Sequence, residues 1–216
     1  MGQEKSLLEL AGKPLIAHAV EKLRRFCADV SILANNEVFG GFAPTVPDLH
    51  PGCGPMSGME AALVHSPHDW NLILPVDVPF LPTLLLETWC TTTLADGQGK
   101  GTRIAMFEER GIPQPALLMI HRDMAPYLQT ALARGEFKLG SALHLGAASI
   151  AADRDLHPAA VLRRWSSGAE CDLHATGTGW QALTEAQKCH RNLWFANLNT
   201  PEDFANAAQF VKVLDT

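Results

Sequence analysis

Trp70-Asn71-Leu72-Ile73-Leu74-Pro75-Val76-Asp77-Val78-Pro79-Phe80 is the stretch on which the fold turns. Its opening run is apolar nearly throughout, the pattern of a parallel strand covered by helices on both faces. The run stops at Asp77. Pro75 and Pro79 fix the backbone around that carboxylate and prevent it from continuing as strand or helix. Open α/β sheets bind ligands beyond the carboxyl ends of their strands, so Asp77 stands where chemistry is expected. A single carboxylate at such a point suits Mg²⁺, which takes one or two carboxylates and completes its shell with waters and phosphate oxygens. It equally suits a cap for the turn or helix that follows, and the spacing leaves both readings open.

Moving toward the N-terminus, the Gly/Pro-rich loop Pro51-Gly52-Cys53-Gly54-Pro55-Met56-Ser57-Gly58 precedes a short helix through Glu60–Leu63. Glycines let a backbone approach a ligand closely, and a helix start offers amide groups to an anion. A plain surface turn has the same composition. Ser57 is expected as an N-cap rather than a nucleophile. Thr45-Val46-Pro47 is a β-like piece leading to Asp48, and Asp29–Ala34 reads as a strand ending at Asn35. Before it, Ile16, Val20, Leu23 and Cys27 recur at helical spacing, with Glu21, Lys22, Arg24 and Arg25 on the opposite, solvated face. Gly12-Lys13-Pro14 is the turn that starts this helix.

Toward the C-terminus, Leu81–Leu94 is helical in pattern, 103–107 and 116–120 are strands, and Asp123–Ala133 is a helix closed by Gly135. Leu193–Ala196 reads as a late strand. Thr200 caps a last helix with Pro201 at its first position. Strands alternate with helices, so the fold class is α/β, Rossmann-like, with a mostly parallel sheet and helices on both faces. A single domain over 1–216 is expected, with an insertion at about 151–191, where the periodicity is weak.

Composition narrows the function. A formal net charge of −6 argues against sequence-independent nucleic-acid binding, which needs a basic face. The five cysteines make no C-x-x-C pair, which points away from a disulfide framework and toward a reducing compartment. Cys171 and Cys189 near His174 and His190 lack the paired short spacing of structural zinc sites. No apolar run is long enough for a membrane span, so the cytoplasm is the expected location. There is neither a G-x-S-x-G elbow nor a G-x-x-x-x-G-K-[ST] loop. What remains at the strand ends is a polar set: Asn35, Asp48 with Gly54 and its loop, Asp77, Asn197 and Asn199. Lys5 and Lys13 are the basic residues available to a triphosphate there. Arg110, Arg134 and Lys138 are available to an anionic acceptor. Each of these five is otherwise an ordinary solvated side chain.

These residues occur in an order that resembles the cofactor and sugar nucleotidyltransferases. Met1-Gly2-Gln3-Glu4-Lys5, Gly12-Lys13-Pro14-Leu15, Val30–Asn35, Asp48, Gly54-Pro55-Met56-Ser57-Gly58, Pro75–Phe80, Gln114-Pro115 and Asn197-Leu198-Asn199-Thr200-Pro201 follow one another as in that group. Gly54–Gly58 and Asn197–Pro201 are similar to the G-P-L-x-G and N-x-N-T-P motifs of the molybdenum cofactor guanylyltransferase family. The likeness runs from residue 1 to about 145 and resumes near 193.

The resemblance implies a fold of the nucleotide-diphospho-sugar transferase type and transfer of GMP from GTP to the molybdenum-bearing molybdopterin cofactor, with release of pyrophosphate. It implies that Lys5 touches the nucleotide phosphates, that Asn35 and Asp48 recognise the nucleoside beside Gly54, that Asp77 holds Mg²⁺, and that Asn199 sits near the metal or, with Asn197, the acceptor. Lys5 and Asp77 would be the catalytic pair. GTP and molybdopterin are the implied ligands, and molybdenum-inserting and molybdoenzyme-maturation proteins the implied partners. Three alternatives remain: a cytidylyltransferase of the same cofactor, a sugar-phosphate nucleotidyltransferase, and a non-catalytic nucleotide-binding remnant. The last arises because the family carries a strand and L-A-G-G-x-S-x-R before the Met-Gly with which this chain begins. A start lying further upstream is the expected explanation. Glu4 also stands where that family usually has Asp.

Overall fold

The chain opens with a tight hairpin. Strands β1 (Glu9–Leu10) and β2 (Lys13–Pro14) pair antiparallel across Ala11 and Gly12, whose φ values of 54° and 75° are those of a primed two-residue turn. Helix α1 (Leu15–Arg24) follows and buries Leu15, Ile16, Val20 and Lys22. Strands β3 (Ile32–Leu33) and β4 (Thr45–Val46) form a small parallel pair. Helix α2 (Pro55–His65), strand β5 (Trp70–Ile73) and helix α3 (Thr83–Gly99) come next, then β6 (Ile104–Glu109), β7 (Ile112–His121), α4 (Ala125–Ala133), α5 (Leu139–Asp153) and β8 (Leu162–Ser166). The computed structural model describes residues 4–99, 101–109, 111–166 and 179–215. Among these residues no helix is long and apolar enough to cross a membrane.

The residues fall into two compact units. A terminal unit comprises Met1–Val30, Pro75–Trp89 and Glu170–Thr216; a sheet unit comprises Ser31–Leu74 and Cys90–Ala169. Helix α3 begins in the first and continues in the second.

The sheet unit carries a four-stranded sheet of order β5-β7-β6-β8. It is mixed where a mostly parallel sheet was expected: β7 runs antiparallel to both β5 and β6, and only β6 and β8 are parallel. The short link from Glu109 to Ile112, with Gly111 at φ 78°, leaves β7 no room for a crossover and forces the reversal. The run 70–76 is also not the doubly covered strand its composition suggests. β5 spans only Trp70–Ile73, lies at the end of the sheet order and is half-buried throughout. The strands buried on both faces are β6 and β7. Ile104, Met106, Leu118 and Ile120 join α2, α4 and α5 in one apolar cluster, while Ala105, Phe107, Leu117 and Met119 are buried on the other face.

Within 151–191, α5 runs on to Asp153 and β8 joins the main sheet, whereas 167–178 lies outside the described residues. The zinc constellation considered for Cys171 and His174 falls on those undescribed residues.

The terminal unit is held by a smaller apolar cluster of Leu10, Leu15, Phe80, Leu198, Ala207, Val213 and Leu214. The late strand expected at 193–196 is instead a turn after a short 3₁₀ segment, Arg191–Leu193. Trp194 is buried there and its indole nitrogen donates to the Gln187 carbonyl at 3.1 Å. Burial of one large ring, not strand pairing, accounts for the apolar character of this stretch.

Candidate functional site

In the sheet unit, Asn35 and Asp48 form a closed pair. The Asn35 carboxamide donates to Asp48 Oδ2 at 3.0 Å, and its oxygen accepts the Asp48 backbone N–H at 2.8 Å. The parallel pairing of β3 with β4 sets the two side by side, since each residue lies two positions beyond its strand. The glycine loop then enters α2. Gly54 has φ 71° and ψ −162°, a conformation that disfavours any side chain, and Pro55 takes the first helical position. At Gly58 a Cβ would stand 3.3 Å from Asp48 Oδ1, so the absent side chain lets the carboxylate lie against the first turn of α2. A negative group is stabilised there by the helix dipole. Ser57 is not the N-cap; Gly54 is. Ser57 is fully buried inside the first turn, and its hydroxyl accepts the His50 backbone N–H at 2.8 Å, which fastens the loop to the helix.

In the terminal unit, the Lys5 ammonium donates to the Asn199 carboxamide oxygen at 2.6 Å, across 194 positions of sequence. The Leu198 N–H donates to the Asp77 carbonyl at 2.9 Å, so Asn197-Leu198-Asn199 lies along the strand exit. Asn197 and Asn199 are exposed and Asp77 is half-buried. Among the described residues no hydrogen bond or ion pair occupies the Asp77 carboxylate, and no cluster of three His, Cys, Asp or Glu groups that could hold a metal is present. Asp203 accepts the Asn199 and Thr200 N–H groups at 2.8 and 2.7 Å while Thr200 accepts the Asp203 N–H. These backbone bonds hold the Asp203 carboxyl below its ordinary pKa. They complete a capping box that fixes the Asn197–Pro201 turn.

Two basic residues depart from their expected roles. Lys13, in β2, is paired with Glu21 of α1 at 2.5 Å. Lys22, expected on the solvated face of α1, is buried instead, because it lies on the same stripe as Leu15, two turns earlier. Its ammonium donates to the Pro79 carbonyl at 3.0 Å and to the Leu81 carbonyl, and faces Asp215 at 3.7 Å. Asp215 in turn accepts from the Thr83 N–H and hydroxyl at 2.6 and 2.5 Å and from the Gln187 side chain at 2.6 Å. Burial lowers the Lys22 pKa to about 8, against the opposing pull of Asp215. This network anchors the segment that immediately follows Asp77. Arg110, considered for the acceptor, lies outside the described residues, and Arg134 and Lys138 are exposed in the sheet unit.

A MobA-like NTP transferase domain matches residues 1–164. The chain belongs to the MobA-like NTP transferase domain family. It is a nucleotidyltransferase. A molybdenum cofactor guanylyltransferase of Serratia proteamaculans is 37% identical over 144 residues, covering 64% of this chain and 69% of that protein. Another from Vibrio campbellii is 28% identical over 211 residues, 96% of this chain and 88% of its own. Among solved structures, the molybdopterin-guanine dinucleotide biosynthesis protein A of Archaeoglobus fulgidus superposes with a TM-score of 0.68 at 22% identity, covering 98% of this chain and 92% of that one. The likeness establishes the nucleotide-diphospho-sugar transferase type of α/β fold. MobA-like nucleotidyltransferases use a divalent metal.

Proposed function

We propose that this nucleotidyltransferase transfers GMP from GTP to the molybdenum–molybdopterin cofactor and releases pyrophosphate, working in the cytoplasm. The observation that carries the reading is the Lys5–Asn199 bond of 2.6 Å. It joins Lys5, in the N-terminal stretch shared with cofactor and sugar nucleotidyltransferases, to Asn-x-Asn-Thr-Pro, one of the two motifs through which the chain resembles guanylyltransferases.

In this reading the Asn35–Asp48 pair and the Gly54 loop hold the nucleoside. Asp48 supplies carboxylate oxygens to donors on the nucleoside, and Asn35 fixes the orientation of that carboxylate. Lys5 neutralises phosphate charge, and Asn199 sets the direction of its ammonium. Asn197 and Asn199 contact the acceptor. The Asp77 carboxylate, without a partner among the described residues, fits a hard cation, which needs few protein ligands when phosphate oxygens are present. Asp77 and Asn199 would hold Mg²⁺, which when bound supplies positive charge against the phosphate groups. The chain contributes alignment of two anions and their neutralisation, the main sources of rate in phosphoryl and nucleotidyl transfer.

The test is a nucleotide panel. The full chain with Mg²⁺ and molybdenum-loaded molybdopterin should release pyrophosphate from GTP and leave CTP intact. Turnover of CTP with indifference to GTP would replace the guanylyl assignment with a cytidylyl one.

A further inference from the structure

One buried acid in the sheet unit has no part in the roles above. Glu60 lies in α2 with its side chain 3% exposed, and among the described residues no hydrogen bond reaches its Oε2. What faces that oxygen is the His50 ring: Nε2 stands 3.4 Å away, on a side chain 53% exposed. His50 is two residues past Asp48, and its own N–H is fastened to the buried Ser57 hydroxyl. Ring and backbone of one loop residue are thus both directed by α2.

A buried carboxylate lacking a full set of donors destabilises a fold, and an apolar side chain of similar size is often the more stable choice. Packing alone therefore gives no reason for an acid here. Orientation of His50 does. With Nε2 turned toward Glu60, the imidazole has its other nitrogen, Nδ1, which no described residue bonds, left for a ligand. A carboxylate behind a histidine fixes the tautomer and the plane of the ring in this way.

We propose that Glu60 is a positioning residue for the nucleoside triphosphate, acting through His50, whose exposed ring contacts the bound nucleotide beside Asp48. The inference rests on the nucleotide-binding role given above to the Asn35–Asp48 loop.

The experiment measures GTP binding to the full chain with Mg²⁺ by calorimetry, together with thermal stability, for the parent and for His50→Ala, Glu60→Met and Glu60→Gln. His50→Ala should weaken GTP binding about 10-fold, the loss expected for one hydrogen bond involving a charged or strongly polar partner. Glu60→Met should weaken it by a similar factor while raising the melting temperature. Glu60→Gln keeps an acceptor for Nε2–H and should bind GTP within about twofold of the parent. A Glu60→Met protein that melts lower and binds GTP like the parent would make Glu60 structural and overturn the proposal. Parent-like binding by His50→Ala would remove the ring as a contact and overturn it equally. A parent that binds no GTP at all would instead remove the guanylyl reading on which the inference rests.

Discussion

The two units offer their polar groups in opposite ways. In the sheet unit the Asn35–Asp48 pair is closed on itself by two hydrogen bonds and stands on a large apolar cluster. In the terminal unit Asp77 has no side-chain partner among the described residues, Lys5 is bonded to a neutral carboxamide rather than a carboxylate, and the surrounding turns rest on a smaller apolar cluster and the buried Lys22–Asp215 network. A pre-paired, rigid dyad suits recognition of a neutral group, because its geometry is fixed before the ligand arrives. Uncompensated charge on short turns suits metal and phosphate, whose own charges complete it. On the proposed function, the sheet unit would serve recognition and the terminal unit charge handling, and each can be challenged separately.

The largest expected effect is at Asp77. Asp77→Ala should lower the rate of pyrophosphate release about 10³-fold, comparable to removing one strong electrostatic stabiliser. The melting temperature should hold, because among the described residues no bond to that carboxylate is lost. Near-parent turnover would erase the distinction between the units, since the terminal one would then have no metal group.

Next is the dependence of stability on pH through Lys22. Its pKa falls from 10.5 to about 8 on folding, chiefly because burial opposes the charged form. Below about 8 both folded and unfolded chains carry the proton, and the cost of the buried charge is present in full. Between about 8 and 10.5 the unfolded chain holds a proton that the folded chain has released, so unfolding free energy rises with pH. A shift of this size corresponds to about 3 kcal/mol across the window. Cys27, whose thiol is pushed up by burial, contributes with the opposite sign. The measurement is therefore the difference between the parent and Lys22→Met in urea unfolding at several pH values. Equal slopes for the two proteins would show that Lys22 titrates normally and that the terminal unit is not held by a buried charge.

Lys5 should come third. Lys5→Ala is expected to reduce kcat/KM for GTP about 10²-fold, and Asn199→Ala somewhat less. Because the two side chains are bonded, the double variant should lose less than the product of the single losses. Strict additivity would mean that Lys5 and Asn199 act independently.

Local signals were the legible ones. Thr200 and Pro201 announced their helix because a cap is a property of four consecutive residues. The motif residues Asn35, Asp48, Asp77 and Asn199 could be named from the sequence, but their pairing could not: the Lys5–Asn199 bond spans 194 positions, and no period or propensity carries information over that separation. Lys22 departs from expectation because a lysine among charged neighbours reads as solvated, although its spacing from Leu15 puts it on the buried stripe. β8 leaves little trace in the sequence, since Leu162-Arg163-Arg164-Trp165-Ser166 carries two adjacent arginines at the end of a sheet, where charge is tolerated. The mixed direction of the sheet was hidden in the short Glu109–Ile112 link, which looked like any other loop.

The smallest effect, and the sharpest for the recognition half of the comparison, is at Asp48. Removing its side chain frees the exposed Asn35 carboxamide to bond water, so stability should change little. The loss should fall on nucleotide binding instead. Asp48→Ala is expected to raise KM for GTP about 10-fold and to leave kcat within about twofold, the signature of an interaction made equally in ground and transition states. Asp48→Asn keeps one acceptor oxygen and the backbone bond to Asn35, and should fall between the two. If kcat drops together with KM unchanged, the pair is acting on the reacting phosphates. Recognition and charge handling would then not be divided as the hydrogen bonding of the two units suggests, and the closed dyad would need a different explanation from the one its geometry offers.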